Sequence, residues 1–312
     1  MSDLLINILP LLLLLAFGFF LRQIDYFDDQ VVRQLTKFIG NVLVPCVLFN
    51  TMLDLEIRRD YLLVTVLFFL LLCLFLAISY AVYRCFHIRR AFFVFFSSAF
   101  AFGLMGIPLF STVFGEEHMD YLVAMGVGHE LFFAVVYLTL ARMMLQGQSF
   151  RPANLLRSMA TPLFLMVVAA LALNVSGAGE MLAATVWGSC LFSAIEKLGS
   201  ISTVLTMVVV GYQIHLQDRG RIRESAGYVA YRYALAFGVG YLFKWLILDR
   251  IIAPSVYFDY AFFTMLSQFG STVLVVMVGE YGSQEDVEVA SNAFVLNVIV
   301  GMILYILFVS LL

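Results

Sequence analysis

"AFGLMGIPLF" spans residues 101–110 and lies in one of the most apolar parts of the chain. Two glycines and a proline so close together have no obvious place in a helix surrounded by lipid. Bare backbone there is penalised by several kcal/mol per unsatisfied group. A break survives only where protein or a water-filled cavity covers it. Gly103 and Gly106 let backbone approach closely, and Pro108 removes a donor and crowds the preceding turn. The stretch therefore reads either as a tight-packing kink or as a broken helix whose two ends, with their free N–H and C=O groups, form a site in mid-membrane.

The surrounding composition supports the membrane. The 312 residues are 63% hydrophobic and 12% charged, whereas an ordinary soluble domain carries about a quarter charged residues. Runs long enough to cross, about 20 residues each, fall at 3–21, 38–55, 61–83, 92–114, 119–141, 159–174, 199–216, 228–248, 256–279 and 287–312. The stretch 181–197 reads as a separate surface or half-inserted helix. The N-terminus lacks a basic start and a small-residue cleavage site, so it reads as a retained first span. Cys46, Cys73, Cys85 and Cys190 have no paired or metal spacing and read as small buried hydrophobes. No basic run points to nucleic acid, and no nucleotide-binding loop is present.

Ten spans put both termini on one side. Loops after odd-numbered spans hold 13 of the 18 Lys and Arg residues, Arg90, Arg221 and Arg232 among them. By the positive-inside rule these loops are cytoplasmic and both termini are not. The loop after span nine is acidic and contributes no basic residue.

An internal repeat follows from the alignment of 114–140 with 281–307, both aromatic-Gly, then acidic, then apolar. "LTKFIGNVLVP" (35–45) likewise resembles "IEKLGSISTVL" (195–205). Five spans per copy is odd, so the second copy enters from the opposite side. The fold class predicted is an all-α polytopic membrane protein, a 5+5 inverted repeat. Its halves are 1–145 and 159–312, joined by a cytoplasmic connection at 146–158. Gly270, between Gln268, Ser271 and Thr272, is the repeat counterpart of the first break, and Glu130 aligns with Asn297. Glu130 is the acidic residue deepest in a predicted span; it is either a proton-coupling group or a structural carboxyl paired with His129. His129 is expected to face another side of its helix. Ser97 and Ser98 are expected to bond back to their own helix, Pro45 to bend span two near the site, and Lys244 to snorkel.

"VPCVLF" (44–49), "MGIPL" (105–109) and "GEYG" (279–282), in this order across ten spans, resemble the auxin efflux carrier family, within the superfamily that holds the bile-acid symporters. The short Arg151-containing connection resembles the bacterial members. The resemblance implies crossed, broken helices four and nine. It implies a scaffold of helices one, two, six and seven, with the rest a moving transport unit. It implies secondary transport of small organic anions, such as malonate or malate, across the inner or plasma membrane. A channel or a ligand sensor on the same fold is the alternative; an intramembrane enzyme lacks a second zinc-type histidine or a nucleophile motif. The binding residues implied are Pro45, Ala101, Gly103, Gly106, Pro108, Gln268, Gly270, Ser271, Thr272 and Asn297. The partners are the anion and membrane lipid, with proton or sodium coupling open and a homodimer one option for the assembly. No cofactor or metal is expected. Three positions depart from the family: Ala101 stands where an Asn that holds the carboxylate is common, Phe269 where a proline is common at the crossing, and Val204 where one is common in helix seven.

Overall fold

The computed structural model describes residues 2–53, 58–146, 162–214 and 221–312; the connection predicted at 146–158, with Arg151 and Arg157, falls almost entirely outside them. The chain is all-α: 87% helical, with no strand among the described residues. In order, the helices are α1 (Ser2–Gln23), α2 (Asp29–Leu53), α3 (Arg59–Cys85), α4 (Phe93–Phe96), α5 (Phe102–Phe114), α6 (Asp120–Leu145), α7 (Pro162–Ser176), α8 (Ala178–Ala183), α9 (Val186–Tyr212) and α10 (Ile222–Phe243, carried on by turns to Ile251). Then follow α11 (Val256–Ser267), α12 (Thr272–Tyr281) and α13 (Gln284–Leu311). Five of them, α2, α3, α6, α9 and α13, are long and apolar enough to cross a membrane, and shorter apolar helices accompany them. On α3, Leu62, Val66, Leu70 and Leu74 form an exposed stripe four residues apart, while Tyr61, Val64, Phe68, Leu71, Leu72 and Phe75 are buried. An apolar stripe outside as well as inside is the pattern of a helix between protein and lipid. This is a multi-pass membrane protein.

The stretch 181–197 is not a separate surface helix. Gly177, with φ +67°, turns the chain after α7, α8 ends at Ala183, and Thr185 Oγ1 accepts Gly188 N to start α9 as one rod through Tyr212. At 27 residues and about 1.5 Å per residue, α9 reaches about 40 Å. It outruns a bilayer core of about 30 Å, which is why hydropathy alone divides it. Cys85 and Cys190 are exposed rather than buried.

Helices pack closely where glycines face neighbouring backbone. A Cβ on Gly18 would stand 2.0 Å from Val208 O, and one on Gly211 2.0 Å from Leu15 O, so α1 and α9 touch through both. A Cβ on Gly128 would stand 2.3 Å from Thr65 O, where α6 meets α3, and Thr65 Oγ1 donates to Ala124 O at 2.9 Å across the same contact. Small residues that admit a second backbone are the usual means of helix association where burial from water provides no drive.

The loops after α3 and α9 and the start of α13 meet at one end. Arg90 pairs with Glu224 at 2.6 Å and with Asp286, and Arg221 pairs with Glu285 at 2.9 Å and Glu288 at 3.2 Å. The acidic start of α13 is thus met by basic residues from its neighbours. The hydrogen bond from Arg90 holds the Glu224 carboxyl below the usual carboxylate range. Burial pushes Asp286 upward, but hydrogen bonds from Arg90 and Ser283 outweigh it and hold it low as well. A carboxyl lowered in the folded state stabilises fully above its unfolded value, and that contribution is lost as pH falls through the lowered one. Melting temperature in detergent is therefore expected to stay level from pH 7 to 5 and to fall below about pH 4. Arg90→Gln should reduce that acid-dependent part of the fall; an unchanged pH profile in the variant would separate the cluster from acid stability.

Candidate functional site

Among the described residues, two apolar helical stretches are interrupted where they pass each other. The first interruption is Ser97–Ala101, between α4 and α5; the second is Gln268–Ser271, between α11 and α12. They meet: Ala101 N donates to Phe269 O at 2.9 Å. The first break lies earlier than the glycines and proline suggested. Gly103, Gly106 and Pro108 all belong to α5, whose first turn, Phe102–Gly106, is a wide π turn. A π turn shifts the carbonyl register ahead of a proline and so relieves the crowding that Pro108 would cause in a regular helix. Pro45 stands in the same register after the π turn Ile39–Leu43 of α2, so that helix is widened at the position where the sequence indicated a bend.

The glycines have steric reasons. A Cβ on Gly103 would stand 2.4 Å from Val44 Cγ1, beside Pro45, so α2 rests directly on the α5 turn. The nearest atoms to a Cβ on Gly106 beyond its own turn would be the Gln268 side chain, at 3.7 Å. A Cβ on Gly126 would stand 2.1 Å from Phe102 Cζ, so that ring lies directly against the glycine. Ala101 is buried, and its φ of −81° and ψ of 51° make a γ-like bend that turns its N–H toward the second break.

Each break is capped by a side chain from another helix. His129 Nε2 accepts from Phe100 N at 3.0 Å, and its Nδ1 lies 3.0 Å from Glu130 Oε1. Since Nε2 accepts, the imidazole is the neutral Nδ1–H form, donating to Glu130. His129 is buried and faces the break, contrary to expectation; Glu130 is partly exposed and reaches it only through His129. At the second break, Asn297 is fully buried. In the amide orientation that satisfies its neighbours, it accepts from Gly270 N at 3.0 Å and Arg232 Nε at 3.2 Å and donates to Tyr233 OH at 2.7 Å. In role, the counterpart of Asn297 is therefore His129, one residue before the Glu130 that the repeat alignment set opposite it. Ser271 Oγ accepts Val273 N and starts α12. Thr272 opens that helix, and its side chain lies outside the described residues.

Between the breaks stands Arg232 of α10, which the sequence reading counted among cytoplasmic loop residues. It is 0% exposed. Its Nη1 donates to Phe96 O, and its Nη2 donates to Ala99 O at 3.0 Å and Gln268 O at 3.1 Å. Its guanidinium lies over the Phe100 ring, 4.7 Å from the centroid. Among the described residues no carboxylate pairs with it. Around it, Gln268 Oε1 and the hydroxyls of Ser97 and Ser98 are buried without a hydrogen-bond partner, so the serines do not bond back to their own helix. Lys244, farther along α10, pairs with Asp249 at 2.6 Å and Asp259 at 2.9 Å instead of reaching for the interface alone.

The arrangement is a polar, positively charged spot inside an apolar bundle, built largely of backbone from two interrupted helices. No curated protein matches the chain. Residues 3–154 match the family described as membrane transport protein, a stretch that carries α1 to α6 and with them the first break, its π turn and His129. Over this first half the chain matches the auxin efflux carrier family of membrane transport proteins, the family its motifs resemble.

Proposed function

We infer that the protein is a secondary carrier that moves a small organic anion, a mono- or dicarboxylate, across the inner or plasma membrane by alternating access. The observation that carries this reading is the full charge of Arg232, buried without a carboxylate where the two breaks meet. A buried charge is costly unless it is matched, and an anionic solute arriving at the crossing matches it. Gln268 Oε1, an acceptor, suits a hydroxyl or protonated acid group of the solute or its water, while the hydroxyls of Ser97 and Ser98 can donate to its carboxylate. With alanine at position 101, no amide is present there to hold a carboxylate. The positive charge from Arg232 and the N–H groups at the starts of α5 and α12 take over that task.

In this reading the helices make ten crossings as a 5+5 inverted repeat, with α4–α5 and α11–α12 as helices four and nine. Removing Arg232 from the loop residues leaves twelve basic residues on the odd side against five, so the termini still fall on the non-cytoplasmic side. Helices α1, α2, α7 and α9 form the scaffold, and the others move against it, with Gly103 on Val44 as one contact between the two bodies. Glu130 remains the proton-coupling candidate, acting through His129. A proton on Nε2 would displace the Phe100 N–H, so protonation there and the geometry of the first break are linked.

Counterflow in proteoliposomes tests the reading. Labelled malate or malonate outside is expected to enter saturably and faster when the unlabelled acid is loaded inside. Non-saturating conductance would indicate a channel, and binding without flux a sensor.

A further inference from the structure

The acceptors around Arg232 are all neutral oxygens. Phe96 ends α4 and Gln268 follows the end of α11, so the carbonyls it meets include those at the C-terminal ends of two half-helices, where the partial charge is negative. Ala99 O lies within the first break, and the fourth acceptor is the side-chain oxygen of Asn297. Three backbone carbonyls and one amide oxygen, drawn from both breaks and from α13, thus converge on one positive charge. The Phe100 face adds a further cation contact. Unwound carbonyls, helix C-terminal ends and neutral amide oxygens are the ligands by which membrane proteins hold a dehydrated monovalent cation. Here the place is filled by a group tethered to α10.

We propose that Arg232 is a resident cation, a guanidinium that permanently fills a monovalent-cation site formed by the paired breaks, so that the protein needs no free sodium or potassium ion there. The tether also explains how both breaks keep one geometry without an exchangeable ligand. The fork of the guanidinium bonds α4, the first break, the second break and α13 at once, which a spherical ion would do only while bound. The proposal bears on the carrier reading by removing sodium at this place as the coupling ion, but it is tested without any solute, so its failure and that of the carrier reading are distinguishable.

The experiment is a melting series on purified protein in sodium, potassium, choline and guanidinium chlorides at equal ionic strength. Wild type is expected to melt alike in sodium, potassium and choline. Arg232→Ala keeps the oxygens and removes the tether. It is expected to melt lower than wild type in choline and to regain at least about 3 °C in sodium or guanidinium, as a ligand that binds only the folded state would give. Arg232→Ala melting equally in all four salts would overturn the proposal, because a merely space-filling arginine leaves no cation site behind. Wild type melting several degrees higher in sodium than in choline would overturn it too, since a free ion would then be required. That second arm needs no variant and decides the matter if Arg232→Ala does not fold; Arg232→Lys, which keeps a tethered charge, is expected to stay indifferent to sodium.

Discussion

Gly211→Val should lower the melting temperature of the purified protein by about 5 °C or more. The position faces Leu15 O, and a Cβ there would stand 2.0 Å away, with Leu15 C at 2.8 Å. A flexible side chain in that place would swing aside, but a helical carbonyl cannot, so α1 and α9 must part. The reciprocal contact at Gly18 against Val208 O would open with them. Overpacking of this kind costs about 1–3 kcal/mol and more where the backbone cannot yield, and about 2–4 °C accompanies each kcal/mol in a protein of this size. Gly238 is the control: a Cβ there meets nothing within 4 Å. Gly238→Ala is expected to be neutral or to stabilise slightly, since alanine loses less backbone freedom in a helix. Equal melting of the two variants would mean that α1 and α9 do not approach this closely.

Much of the frame was legible because its signals are local. The all-α membrane character follows from hydropathy and length, and the presence of interrupted helices from Gly, Pro and polar residues in apolar runs. Position within a break was less legible. Pro108 was the loudest breaker, yet it sits in a helix, because a π turn upstream absorbs its missing donor; the real interruption at Ser97–Ala101 has no proline at all. Sequence gave no warning that Phe100 N would need a cap, and so Glu130, the charged residue, drew attention that His129 earned by direction alone. Arg232 was missed for a different reason. It sits inside "YVAYRYALAFGVG" (228–240), in a run already read as a span, and an arginine amid apolar and aromatic residues is the usual mark of an intramembrane functional group. Counting it by sign with the loop residues hid its depth. Asn297, singled out from the repeat, lies against the second break, but its partners, Gly270 in that break and Arg232 and Tyr233 on α10, could not be found from periodicity.

Those partners make Asn297→Asp the sharpest change available. Aspartate has the same shape and still accepts from Gly270 N and Arg232 Nε, and the Tyr233 hydroxyl, which donates to the Ser267 and Asn297 carbonyls, can turn its proton to the carboxylate. The fold is expected to hold, with a melting temperature at or above that of wild type. What changes is charge: a carboxylate 3.2 Å from the guanidinium, by the present Asn297 geometry, cancels the positive excess at the crossing. One unit charge at about 4 Å is worth about 4 kcal/mol at an effective dielectric constant of about 20, so anion affinity should fall on the order of a hundredfold or more. Half-saturation for labelled malate or malonate in counterflow, measured side by side for wild type and Asn297→Asp reconstituted at equal density, tests this directly. Loss of saturable anion exchange in a variant that melts normally is the predicted result; saturable exchange with the wild-type half-saturation would show that the solute does not bind where the two breaks meet.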